Sequence, residues 1–73
     1  MENIYDKFNN IYKWNEKNNS KIFLDRKYKE DLEWLILGYM TRMLKINGLP
    51  YPVYAVKQET PDFLTYNKNK EIF

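Results

Sequence analysis

Seventy-three residues allow one small domain with a thin core, and a formal charge of +2, from 12 Lys+Arg against 10 Asp+Glu, gives no polybasic character. With neither Cys nor His, the chain is excluded from disulfide frameworks, ordinary zinc sites and Ser–His or Cys–His nucleophile pairs. Aromatic residues make up 18% of the chain, so aromatic packing and oligomerisation are the staples left to it.

The spacing predicts an amphipathic helix over residues 2–16. Ile4, Phe8, Ile11 and Tyr12 repeat on one face, and Tyr5 widens the stripe. Glu2 and Asp6 at its start and Lys13 near its end suit the helix dipole. The polar run Asn18-Asn19-Ser20 breaks it. Residues 21–24 form a short apolar run that reads as a strand or an extended connector. A long helix is predicted over 26–46, with Asp25 as its N-cap and Gly48 just past its C-terminus. Its apolar residues, from Tyr28 and Leu32 to Leu44 and Ile46, cover an arc of roughly 200° at 3.6 residues per turn. An arc that wide predicts a central helix buried from more than one side. Val53 to Lys57 and Asp62 to Tyr66 read as a hairpin closed through Thr60-Pro61-Asp62. The tail, residues 67–73, is polar until Ile72 and Phe73, which call for packing, a further strand or a second copy. The expected architecture is α+β: an N-terminal helix, a short extended segment, a long central helix, and a C-terminal β-hairpin packed on that helix.

The start of the chain has no basic segment followed by an apolar run, and the longest apolar stretch, Trp34 to Met40, is far short of the ~20 residues of a bilayer span. The expected compartment is the cytoplasm, that of the host if the gene is viral. Lys, Asn, Ile, Tyr and Phe dominate, while the chain has one Ala, two Gly and two Arg. That bias suggests an AT-rich genome, such as a low-GC bacterium, its phage or a mobile element.

Few chemistries are available. Two isolated glycines build neither a P-loop nor a dinucleotide-binding turn. Glu30, Asp31 and Glu33 cluster early in the long helix, where acidic residues belong by dipole alone. No catalytic residue, metal site or cofactor is therefore assigned, and the expectation is a protein that is not an enzyme.

The binding signals are aromatic. Trp34 falls outside the apolar arc with Gly38 one turn later, which suggests a knob beside a flat patch for a partner. The competing expectation is that Trp34 packs under the chain's own N-terminal helix or hairpin. Tyr51, Tyr54 and Tyr66 lie in or near the hairpin, and at least one should face solvent. These five residues are the expected contacts of a protein partner, such as a host defence, repair or transcription factor that this chain would inhibit. A second reading is a small nucleic-acid-binding regulator. It would use Lys21, Arg26, Lys27 and Lys29 as phosphate contacts, although Asp25, Glu30 and Asp31 interrupt that stretch. The third is a structural homodimer joined through the hairpin edge and Ile72–Phe73.

Overall fold

A computed structural model describes residues 1–73. The elements are β1 (Glu2–Asn3), α1 (Ile4–Lys17), the single turn α2 (Lys21–Leu24), a 3-10 turn (Arg26–Tyr28), α3 (Lys29–Ile46), β2 (Tyr54–Lys57) and β3 (Phe63–Tyr66). The fold is α+β, with the antiparallel hairpin packed on the helices as expected.

The first two residues of the predicted N-terminal helix are instead a strand. Glu2 pairs with Ala55 and Asn3 with Tyr54, and the Ile4 N–H donates to the Val53 carbonyl at 2.9 Å. Asn3 ends this strand because its carboxamide oxygen accepts from the Asp6 N–H, which caps α1. β2 is thus the central strand of a three-stranded sheet in the order β1-β2-β3. Beyond β3, Ile72 bridges Tyr66, and the Phe73 N–H donates to the Thr65 carbonyl at 2.9 Å. The chain's own tail covers the hairpin edge that was expected to receive a second copy.

Residues 21–24 are a helical turn, not a strand or an extended connector. Asn19 and Ser20 adopt left-handed conformations, with φ of 57° and 59°, and reverse the chain. Buried Asn15 then accepts from the Ile22 N–H through its side chain, while its backbone carbonyl accepts from Ser20. Local acceptors satisfy the donors that a strand would have offered to a ladder. The long helix begins with its 3-10 turn, capped by Asp25 through the Lys27 N–H. At its other end Gly48, at φ +71°, donates to the Lys45 carbonyl, and Leu49 donates to that of Leu44. This pair of hydrogen bonds is the Schellman arrangement, which needs a left-handed residue where Gly48 stands.

The core comprises Ile4, Ile11, Ile22, Trp34, Leu35 and Ala55, with Phe8, Tyr28, Leu32, Leu37 and Phe63 packed against it. It lies on a different side of α3 from the one its apolar arc suggests. Trp34, Leu35 and Gly38 are the buried positions of that helix. Phe8 of α1 occupies the hollow at Gly38, where an added Cβ would lie 2.7 Å from its Cγ and 2.8 Å from its Cβ. Trp34 meets Phe63 of β3 edge-on, with ring centroids 4.7 Å apart. Tyr5 and Tyr12, expected on the buried stripe of α1, face solvent.

Candidate functional site

Alternation along the hairpin gives the sheet two unlike faces. Ala55, Lys57, Phe63 and Thr65 form the inner one, fixed toward α3 by the Trp34–Phe63 contact and by a 2.7 Å ion pair between Lys57 and Glu33. The Glu33 oxygen in that pair is sealed from solvent, and the Lys57 ammonium is the charge that compensates it. Tyr54, Val56, Leu64 and Tyr66 form the outer face, with Tyr54 directly opposite Tyr66 and Val56 opposite Leu64. Ile72 continues the Tyr54–Tyr66 row through its bridge to Tyr66. A solvated sheet face ordinarily carries polar side chains. Here the inner face holds a lysine and a threonine, and the outer face has no charged group among these five residues. Val56 is 36% exposed, Leu64 38% and Ile72 77%, while the two tyrosines are half-buried.

Three of the five residues expected to contact a partner lie elsewhere. Trp34 and Gly38 are internal: Trp34 is 2% exposed, and α1 covers the patch beside Gly38. The wheel misplaces them because it ranks faces by hydropathy, whereas this helix turns its one glycine toward α1 and its tryptophan toward the hairpin. Tyr51 is separated from Tyr54 and Tyr66 and lines a different feature, an open groove of about 740 Å3 between the start of α1, the second half of α3 and residues 51–53. Tyr5, Asn9, Thr41, Arg42 and Lys45 also line that groove, and no carboxylate does. Lys45 Nζ stands 5.7 Å from the Tyr51 ring centre, and neither Arg42 nor Lys45 is held in an ion pair.

Lys21, Arg26, Lys27 and Lys29 are exposed around α2 and the start of α3. They form no common cradle. Lys27 lies over the Tyr28 ring at 5.1 Å, and Asp25 shares a shallow cavity with Arg26 and Lys29. No three acidic side chains converge as a metal site would require, and no helix is long and apolar enough to cross a membrane.

The residues missed by sequence reasoning are on α3. Ile36, Tyr39, Met40, Met43 and Ile46 were expected in the core and are 50%, 44%, 60%, 59% and 68% exposed. They form a solvent-facing apolar stripe. The available signal was the width of the arc itself, since a 73-residue chain has too few other elements to cover both sides of such a helix.

Compared with family models, curated proteins and solved structures, the chain matches none.

Proposed function

We propose that this protein is a non-enzymatic binding domain that docks another protein on the outer face of its sheet. One observation carries the reading: five apolar or aromatic side chains, Tyr54, Val56, Leu64, Tyr66 and Ile72, form an apolar face directed away from the helices, with the Lys70 ammonium 5.7 Å from the Tyr54 ring centre. Tyrosine at the centre of an apolar patch is the composition of protein interfaces, where a few such anchors dominate affinity. The AT-rich composition favours a phage or mobile-element origin, and with it a role as inhibitor of a host defence, repair or transcription protein in the bacterial cytoplasm.

The test is capture from a low-GC bacterial lysate after nuclease treatment, with wild type compared against Val56→Lys/Leu64→Lys. Both positions face solvent, so far-UV circular dichroism should be unchanged. A stoichiometric protein held by wild type and lost by the double variant supports the reading. Equal capture by both proteins overturns the assignment to this face.

A second reading has its own observation, the groove in which Arg42 and Lys45 stand beside Tyr5 and Tyr51 with no carboxylate. Cations interleaved with aromatic rings are the elements of a single-strand nucleic-acid site. In that case capture disappears with nuclease, and binding weakens steeply with salt and on Arg42→Gln/Lys45→Gln.

A further inference from the structure

The exposed stripe on α3 is independent of the sheet face. Leu32, Ile36, Tyr39, Met43 and Ile46 follow one another at intervals of four, three, four and three residues. That alternation is the seam of a helix that pairs with another helix along its length. Leu32 is half-buried at one end, and the other four are exposed with Met40 beside them. No charged residue interrupts the stripe between Ile36 and Ile46; Asp31 and Arg42 flank one side of it, and half-buried Leu37 and Leu44 the other. Tyr39 and Tyr12 both contact Phe8, which carries the apolar surface onto α1.

We infer that this stripe is a self-association surface on which two copies pair through antiparallel α3 helices. Three observations select a second copy. First, area: side chains of this size left half open expose on the order of 600 Å2 per protomer, or roughly 1,200 Å2 when two stripes meet, within the range of specific interfaces. Second, charge: α3 carries Glu30 and Asp31 in its first turn and Arg42 and Lys45 toward its end. Antiparallel pairing opposes the two helix dipoles and brings Glu30 and Asp31 of each helix toward Arg42 and Lys45 of its mate, with Lys29 and the preceding Arg26 and Lys27 offsetting part of the negative charge at that end. Third, shape: the molecule measures 35 × 27 × 16 Å, and its Cα radius of gyration is 12.5 Å, against about 11 Å expected for a compact chain of this length. A flat slab of this kind gains a second layer by pairing. The contact is isologous and closes as a two-fold dimer, leaving both outer sheet faces free.

Sedimentation equilibrium on the full chain reads the mass. The expected result is a species of twice the 9.0 kDa chain mass, converted to monomer by Met40→Glu/Met43→Glu without loss of helical circular dichroism. A monomer at every accessible concentration, or a dimer that survives that double substitution, overturns the inference. Orientation is read separately, because the chain has no cysteine of its own. Tyr39→Cys lies near the two-fold axis and should cross-link on mild oxidation. Ile46→Cys should not, because at 1.5 Å per residue the two copies of that position stand about 20 Å apart, beyond disulfide reach. Cross-linking through Ile46→Cys overturns the antiparallel arrangement. Val56→Lys/Leu64→Lys should leave the dimer intact, so failure of self-pairing and failure of the sheet-face reading are distinguishable.

Discussion

Gly38 shows how one position sets the approach of two helices. Its missing side chain lets Phe8 of α1 lie against the α3 backbone. In an open helix, Gly38→Ala would stabilise by roughly 0.5–1 kcal/mol. Here the new methyl meets Phe8 at its Cβ and Cγ, atoms close to the α1 backbone that cannot swing aside. The expected outcome is a net loss of about 1–3 kcal/mol, the usual cost of overpacking. Chemical denaturation checks it. Adding Phe8→Leu should recover part of the loss in a double-mutant cycle, because the two substitutions share one contact. This glycine was recognisable in the sequence as one with a packing reason. Its partner was not, since the interior of the same chain and a foreign surface demand the same absence of a side chain.

At the scale of elements, Lys57 and Glu33 tie β2 to α3. The short contact with the Glu33 carboxylate raises the Lys57 ammonium above its ordinary value of 10.5, against an opposing effect of desolvation, with Asp62 and Glu30 adding to the rise. Tyr12 is also raised, from 10.0, chiefly by the nearby Glu16 carboxylate, which favours the protonated phenol as an acceptor and by its charge. Both folded forms hold their protons more tightly than the unfolded chain. Their contributions are therefore complete below the ordinary values and fade as pH climbs through the raised ones. The melting temperature should fall above about pH 10, and less steeply in Glu33→Gln, which removes the largest cause of the Lys57 shift. At neutral pH, Lys57→Met should be destabilising because it leaves the solvent-sealed oxygen of the partly buried Glu33 carboxylate without its compensating charge. Glu33→Leu/Lys57→Met should be less so, since it removes both charges together. Most elements were legible in the sequence: α1, α3 and the hairpin come from periodicity and turn residues, and Gly48 occupies its expected capping position. Two elements were not. β1 is two residues long and exists only because β2 comes to meet it. Residues 21–24 are helical because Asn15, seven residues before Ile22, supplies an acceptor that composition does not reveal.

The whole molecule is under-cored for its apolar content. Six hydrophobic residues are buried, while sixteen large ones are exposed, so the surface is where this chain's hydrophobicity accumulates. A wheel diagram ranks faces without knowing how many elements exist to cover them, which is why the exposed α3 stripe read as core. The same shortage of covering elements leaves Tyr54 and Tyr66 paired on an outward face, where alternation along the hairpin had indicated that at least one tyrosine would turn away from the helix.

The pairing of β1 with β2 joins residue 2 to residue 55 and closes a loop that contains both principal helices. Such a closure carries an entropic cost that grows with the logarithm of the loop, and two residue pairs with the Ile4–Val53 hydrogen bond offset it at the strand itself. The helices and the hairpin, whose own hydrogen bonds are local, should form first, and the N-terminal strand should dock last as a clasp. In hydrogen exchange, the Ile4 amide, bonded to Val53, should exchange well before the Val56 amide, which faces Leu64 of β3, and the Leu35 amide of α3. Equal protection of all three would show that the clasp opens only when the whole domain does.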